Sequence, residues 1–132
     1  MKPSARLLSQ SYPDIAILFI RIPVGFHLIY GTQDNVFSWS RMLEFSDFLQ
    51  HHGFPFPTLC AITSVYAQFI SGAAYILGFK TRLAAAVMTF NFIVAIIGVH
   101  LGDSYTSAFP AIMMLCSSVF LLLNGPGRYS IN

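Results

Sequence analysis

Arg21 and His27 lie inside an apolar run, "AILFIRIPVGFHLIYG" (residues 16–31), and are the first side chains whose chemistry suits a binding site. An ionisable group in hydrocarbon is costly and normally faces the interior of a helix bundle, so each is a candidate functional residue. The guanidinium of Arg21 can donate to a carboxylate, a phosphate or a carbonyl. We favour an interior position for Arg21, and the alternative is extension toward the nearer lipid headgroups.

The expected partner of Arg21 is Gln68 on the second apolar run. Pro23 is expected to free the carbonyl of Phe19 and so to leave an acceptor close to the guanidinium. Because the acidic residues of the chain lie only at the ends of apolar runs or between them, this pair leaves the charge without a counter-ion. An anionic ligand, a lipid phosphate or a partner subunit would have to supply one.

Further polar side chains complete the set of candidate ligand-binding residues. A neutral imidazole donates one hydrogen bond and accepts another, which suits a quinone carbonyl or a proton relay. For His27 taken alone we favour an ordinary interhelical hydrogen bond. Gln68, Tyr75 and Asn91 belong to stripes of polar and small residues at helical spacing, which is typical of helix contacts in membranes. The full set is Arg21, His27, Gln68, Tyr75, Asn91 and His100.

The sequence carries no catalytic motif. It contains no Cys-x-x-Cys, no haem-attachment motif and no Gly-rich phosphate loop. No metal site is predicted, because His51 and His52 diverge by about 100° on a helix and do not form a chelating pair; a site shared with His100 is the alternative. Any enzymatic role is therefore expected to be shared with a partner subunit of a membrane complex.

The composition indicates which elements position these residues. Of the 132 residues, 55% are hydrophobic and 9% are charged, and the mean hydropathy is +0.66; soluble domains carry about 25% charged residues. Four runs have the length that a membrane-spanning helix needs. The sequence therefore predicts an all-α membrane protein, a single domain over 1–132 with a four-helix transmembrane bundle. The predicted spans are about 14–33, 57–79, 81–101 and 106–124.

An amphipathic helix is predicted over about 35–52, between the first two spans. Apolar residues recur at three- and four-residue spacing from Val36 to Leu49, and charged residues occupy the other face. We expect this helix to begin at a cap near Asp34 and, with Trp39, to lie in the outer membrane interface. A connecting helix packed over the bundle and a surface that docks a partner subunit have the same pattern.

Basic residues predict the orientation of the spans. Lys80 and Arg82 bracket the turn between the second and third spans and Arg128 follows the fourth, whereas the other two loops contain only Arg41. The positive-inside rule then places both termini in the cytoplasm. The basic start of the chain lacks a small-residue cleavage site, so we expect it to be retained. The net charge of +2 offers no patch for nucleic acid; the expected partners are the lipid bilayer and other membrane subunits or further copies of the chain.

Over about residues 14–132 the order of several short stretches resembles the DoxX family of small four-helix bacterial membrane proteins. These stretches are "RIPVGFHLIYG", "HHGFPFP", "AQFISGAAYILGFKTRLAA", "GVHLGD" and "LNGPGRYSIN". The resemblance implies a location in the bacterial inner membrane, and some members resemble subunits of thiosulfate:quinone oxidoreductase or of other membrane oxidoreductase assemblies. Family members usually carry a glutamate at Gln68, a lysine within "TQDN" and an aspartate at Asn132, so an Arg–Glu pair is not carried over.

Three functions follow from these observations. The first is a redox-associated subunit that binds a quinone or a similar lipid-like molecule between the first three spans. The second is a non-catalytic scaffold or assembly subunit that uses the amphipathic helix for docking. The third is a small oligomeric transporter, which ranks behind the others because one four-helix copy shows no evident inverted repeat.

Overall fold

The computed structural model describes residues 12–131, which form helices and turns and contain no strand. Predictions that concern residues 1–11 and Asn132 lie outside the described residues. The all-α class is confirmed. In chain order the helices are α1 (Pro13–Ala16), α2 (Leu18–Phe37), α3 (Trp39–His51), α4 (Pro57–Leu77), α5 (Thr81–Ala95), a π-helical turn (Ile96–His100) and α6 (Tyr105–Asn124).

Four helical stretches are long and apolar enough to cross a membrane, which confirms the predicted four-span architecture. They run Pro13–Phe37, Pro57–Leu77, Thr81–His100 and Tyr105–Asn124. The first combines α1 and α2, and the third combines α5 and the π-helical turn. Large apolar side chains cover the outside of the bundle: Phe19, Ile70 and Leu123 are 75%, 64% and 76% exposed. Because such a surface is suited to hydrocarbon and not to water, the spans contact the lipid bilayer.

The junction between α2 and α3 lies later in the chain than the sequence predicts. The helix passes through Asp34 and ends at Phe37, since no proline or other helix breaker interrupts it there, and the carbonyl of Asp34 accepts the N–H of Ser38 at 2.9 Å. The predicted cap near Asp34 is therefore wrong. Ser38 caps α3 instead, in extended backbone, with its hydroxyl accepting the N–H of Arg41 at 3.4 Å.

The closest helix contact joins α2 and α4 at two glycines. A Cβ atom on Gly25 would lie 2.6 Å from the carbonyl oxygen of Gly72, and one on Gly72 would lie 2.7 Å from that of Gly25. The two backbones therefore touch, as at the small-residue interfaces of membrane helices. On the other side of the bundle α5 packs closely on α6, whereas α2 and α6 make few contacts. The seam between α2 and α6 is thus the most open one in the bundle.

Helix α3 packs over the bundle through one apolar face. Met42 and Leu49 are buried against Ala61 and Val65 of α4. The hydroxyl of Ser46 on the same face bonds that of Thr58 at 2.8 Å. On α3 the large apolar side chains of Trp39, Leu43 and Phe48 remain exposed beside this contact, and the face opposite to it carries Ser40, Glu44 and Asp47. The helix is therefore fixed to α4 and leaves some apolar side chains uncovered.

Candidate functional site

Arg21 lies in the interior of the bundle, where its side chain is 1% exposed. Its guanidinium donates to four backbone carbonyls. Nε donates to Tyr75 at 2.9 Å and Nη2 to Ile76 at 3.2 Å. Nη1 donates to Pro126 at 3.0 Å and to Tyr129 at 2.6 Å. Each of its three nitrogen atoms is thus engaged by protein oxygen.

These acceptors explain how a buried guanidinium is stabilised here. Helix α4 ends at Leu77, so the carbonyls of its last turn have no partner within the helix and carry the negative end of the helix dipole. The N–H of the Gly78 cap bonds the Ala74 carbonyl, and Arg21 bonds those of Tyr75 and Ile76. The Leu77 carbonyl accepts the N–H of Ile131 at 3.3 Å. The partial negative charge at the end of α4 therefore stabilises the positive charge of Arg21.

The chain after α6, residues 125–131, forms the other half of this contact, and we call it the terminal segment. This segment accepts two hydrogen bonds from Arg21. It is also tied to the start of the first span, because the N–H of Arg128 donates to the Asp14 carboxylate at 3.1 Å. Gly78, at φ +71°, leaves room for both partners: a Cβ there would lie 2.5 Å from Nη2 of Arg21 and 2.7 Å from Ser130. Arg21, Gly78 and the terminal segment together close the end of the bundle that carries the termini.

The interior position predicted for Arg21 is observed, but its predicted partners are not. It contacts neither Gln68 nor the Phe19 carbonyl, and no carboxylate of residues 12–131 pairs with it. Tyr75 is likewise engaged inside the protein, since it is fully buried and its hydroxyl bonds that of Ser118 on α6 at 2.9 Å. Both residues connect helices in this structure and lie apart from the cavity described next.

A cavity of about 260 Å³ lies among all four spans, toward the end opposite the termini. Three of the predicted residues line it: His27 of α2, Gln68 of α4 and His100 of the π-helical turn. The rest of the wall is apolar or small, and comprises Leu28, Gly31, Phe92, Ala95, Pro110, Ala111 and Met114. An apolar wall with a few convergent polar groups is the usual character of a small-molecule site.

The mouth of the cavity lies at the seam between α2 and α6. Three of the residues that line the cavity are buried, namely Leu28, Phe92 and Ala111. Three others, His27, Gly31 and Pro110, are exposed. These exposed residues belong to α2 and α6, which pack less closely than the other neighbouring spans of the bundle. Since the outside of the spans contacts lipid, this side of the cavity faces the bilayer.

Hydrogen bonds hold two of the polar lining residues in defined orientations. Gln68 Nε2 donates to the Ser64 hydroxyl at 3.0 Å, and that hydroxyl donates to Oδ1 of Asn91 at 2.7 Å. Asn91 is therefore one bond behind the cavity wall. His100 Nδ1 lies 3.1 Å from Oδ2 of Asp103. His27 forms no hydrogen bond with any of the residues 12–131, so the interhelical bond favoured for it is wrong. Both of its ring nitrogens are open to a ligand.

Sequence reasoning missed Asp103 and Ser64 as supports of the site. Asp103 follows His100 by three residues, within reach of the ring once the chain turns at Gly102, and this spacing was the available signal. Ser64 precedes Gln68 by four residues on one helix face. The other histidines serve α3 itself, because His51 and His52 bond the carbonyls of Asp47 and Phe48. In the described part of the chain no three metal-binding side chains converge.

Four apolar spans around a small, polar-lined cavity define the chain as a multi-pass membrane protein with a site between its helices. Its family follows from comparison: the DoxX family model matches residues 16–101, well over half of the chain, and the protein belongs to the DoxX family. The matched region contains Arg21 and the three polar residues of the cavity. No curated protein and no solved structure matches the chain.

Proposed function

We propose that the protein binds a quinone, or a similar lipid-soluble molecule with ring oxygens, in the cavity between its spans, and that it does so as a redox-associated subunit of a larger complex in the bacterial inner membrane. The convergence of His27, Gln68 and His100 on one apolar-walled cavity carries this proposal. Imidazole and amide groups bond the oxygens of a quinone ring, and the aliphatic wall matches its apolar faces.

The size and the position of the cavity support a ligand that is only partly enclosed. A volume of about 260 Å³ lies slightly below the usual range of small-molecule sites, which begins at about 300 Å³, and accommodates a ring, not a long isoprenoid chain. Because the mouth opens between α2 and α6 toward lipid, such a chain would extend into the bilayer while the ring occupies the cavity. This is the arrangement that a membrane-dissolved quinone requires.

The lack of a recognisable cofactor motif in the sequence supports a role within a complex. The sequence carries no motif for flavin, haem or an iron–sulfur cluster, so electrons would be exchanged with another subunit that carries them. The exposed apolar side chains of Trp39, Leu43 and Phe48 on α3 suit contact with that subunit or with the membrane interface. Family membership supports a bacterial inner-membrane location.

The proposal is tested by the quinone that the purified protein retains. We expect protein extracted in mild detergent to carry quinone near stoichiometry, and Gln68→Leu to lose it with about tenfold weaker rebinding, because removing one buried hydrogen bond costs on the order of 1 kcal/mol. The measurement is quinone per protein in an organic extract, followed by titration with a short-chain quinone. Gln50→Leu, a matched change at an exposed position of α3, should retain wild-type values.

Equal quinone content in the Gln68→Leu and wild-type proteins would contradict the proposed site. A second candidate function, a non-catalytic assembly subunit, is favoured by the exposed apolar side chains of Trp39 and Leu43 on α3. It would be supported if the wild-type protein carries no quinone and rebinds none, yet co-purifies with a defined complex that is lost in Trp39→Ser.

We also propose that the termini lie in the cytoplasm. Lys80, Arg82 and Arg128 are exposed at the end of the bundle that carries the termini, whereas the opposite end has Arg41, which is paired with Glu44 at 3.2 Å. A green fluorescent protein fused after Asn132 should therefore fluoresce, and alkaline phosphatase at the same position should be inactive. The reverse pattern would invert the orientation. Fusions placed in the loop at Gly53 should give the opposite result and serve as the control.

A further inference from the structure

The contact between His100 and Asp103 fixes which nitrogen of the imidazole carries hydrogen. An ionised carboxylate only accepts, so Nδ1 of His100 must donate across the 3.1 Å contact. In the neutral ring the other nitrogen, Nε2, then has no hydrogen and is an acceptor. His100 lines the cavity, and Nε2 bonds none of the residues 12–131. The group that His100 offers to a ligand is thus a hydrogen-bond acceptor.

Gln68 suits either kind of ligand group. Its Nε2 donates one hydrogen to the hydroxyl of Ser64, whose own hydrogen is directed to Asn91. The second hydrogen of Nε2 and the side-chain oxygen bond none of the described residues, so Gln68 offers the cavity both a donor and an acceptor. The group that discriminates between ligands is therefore the Nε2 acceptor of His100. A ligand that carries a hydroxyl donor satisfies it, whereas a ligand with only carbonyl oxygens meets an acceptor there.

We propose that the cavity selects the reduced, hydroxyl-bearing form of its ligand, a hydroquinone, over the quinone. This inference rests on the proposed function and specifies the redox state that the site prefers. The quinone form binds well only when His100 takes up a proton at Nε2, which turns the acceptor into a donor. Asp103 is the positioning residue, because its carboxylate fixes the tautomer of neutral His100 in which Nε2 accepts a hydrogen bond from the hydroquinone.

The surroundings of His100 make it the source of the proton linkage. Its side chain is 22% exposed and that of Asp103 is 42% exposed, so water reaches both at the end opposite the termini. Across the cavity α2 presents His27, the one other titratable lining residue, while α4 presents Gln68 and α6 presents Pro110, Ala111 and Met114. His27 has both ring nitrogens open, so it adapts to either form of the ligand and does not discriminate between them.

The test compares the two redox forms of one short-chain quinone. Decylubiquinone and, under anaerobic conditions, decylubiquinol are titrated by calorimetry into the full-length protein in nanodiscs from pH 6 to 8.5. We expect the hydroquinone to bind about tenfold more tightly than the quinone at pH 8, which corresponds to one hydrogen bond gained. Quinone affinity should rise as the pH falls, by up to tenfold per pH unit, because one proton is bound with the ligand.

Variants separate the linkage from simple loss of structure. His100→Gln, which keeps a donor and an acceptor, should bind both forms equally and without pH dependence. Asp103→Asn, whose amide no longer imposes one tautomer, should reduce the preference for hydroquinone while binding is retained. His27→Gln should weaken binding yet keep the pH slope, and His51→Gln on the exposed face of α3 should match the wild type.

The outcomes distinguish this inference from the proposal on which it rests. If neither form binds at any pH, both are wrong. If both forms bind equally well and independently of pH, the quinone site stands and the selection by redox state is overturned. Tighter binding of the quinone at pH 8, or a pH slope that survives in His100→Gln, likewise overturns the selection alone.

Discussion

Replacing Arg21 with methionine is expected to lower the free energy of unfolding by about 3–5 kcal/mol, the range for removing one partner of a buried charged contact. The change removes four hydrogen bonds and leaves the carbonyls of Tyr75, Ile76, Pro126 and Tyr129 without them in a water-poor interior. Unfolding by steric trapping in bicelles measures the loss. Arg21→Lys should recover only part of it, because an ammonium with three donors lacks the planar fork that reaches all four carbonyls.

Arg21→Met should also loosen the terminal segment, which tryptic cleavage measures separately from the free energy of unfolding. The N–H of Arg128 is held by Asp14, and the carbonyls on either side of it in the terminal segment are held by Arg21. Trypsin should therefore cleave after Arg128 faster in Arg21→Met than in the wild type. Arg41→Met is the matched control: its side chain and that of its partner Glu44 are 59% and 66% exposed, so we expect a change within about 0.5 kcal/mol. Wild-type stability and wild-type cleavage in Arg21→Met would contradict the role assigned to Arg21.

The sequence predicts the interior position of Arg21 but not the atoms that it binds. Burial follows from the cost of a charge in an apolar run. Its acceptors, however, are main-chain carbonyls, which every residue possesses, and their availability depends on where α4 ends and how the chain returns after α6. No pattern of side chains marks the carbonyls of Pro126 or Tyr129. The expectation of Gln68 as partner and of a counter-ion from outside the chain considered side chains and ligands alone, whereas main-chain carbonyls at a helix terminus and in the terminal segment bind Arg21.

The residues of the cavity can be predicted from the sequence better than the four carbonyls around Arg21, the contact that we call the Arg21 clamp. Polar residues in spans are expected to face the bundle interior, which predicts His27, Gln68 and His100 as site residues, and the structure brings all three to one space. Asn91 falls one bond away, through Ser64. Tyr75 lies on the same polar stripe of α4 as Gln68, but its hydroxyl is hydrogen-bonded to that of Ser118 and does not line the cavity. Whether a polar side chain faces a cavity or a neighbouring hydroxyl depends on contacts between distant spans, which spacing within one helix does not report.

One helix thus serves two purposes that lie at different depths. Arg21 and His27 are six residues apart, so about 9 Å of α2 separates them. The bonds of Arg21 close the end of the bundle that carries the termini, while His27 lies beside the mouth near the seam with α6. Water that reaches the polar groups of the cavity therefore enters from the opposite end, where His100 and Asp103 are partly exposed.

The alignment of Arg21 with the end of α4 depends on the close contact one turn further along α2. Gly25→Ala is expected to destabilise the protein by about 1–3 kcal/mol, the range for overpacking a tight interface. Its new methyl group would lie 2.6 Å from the carbonyl oxygen of Gly72 and 2.8 Å from Cγ1 of Ile76. The backbone atom cannot move aside without separating α2 from α4. Unfolding by steric trapping measures the cost, and Gly25→Val should exceed it.

Separation of the two helices would also withdraw Arg21 from the carbonyls of Tyr75 and Ile76. We therefore expect the double variant with Arg21→Met to lose less stability than the sum of the single variants, because both remove the same contacts. Gly31→Ala is the matched control on the same helix, since nothing lies within 4 Å of the added atom. Its stability should be unchanged or higher by up to about 1 kcal/mol, the difference in helix propensity between alanine and glycine. Equal effects of the two glycine substitutions would contradict a backbone contact at Gly25, and strict additivity with Arg21→Met would show that the clamp and the glycine contact act independently.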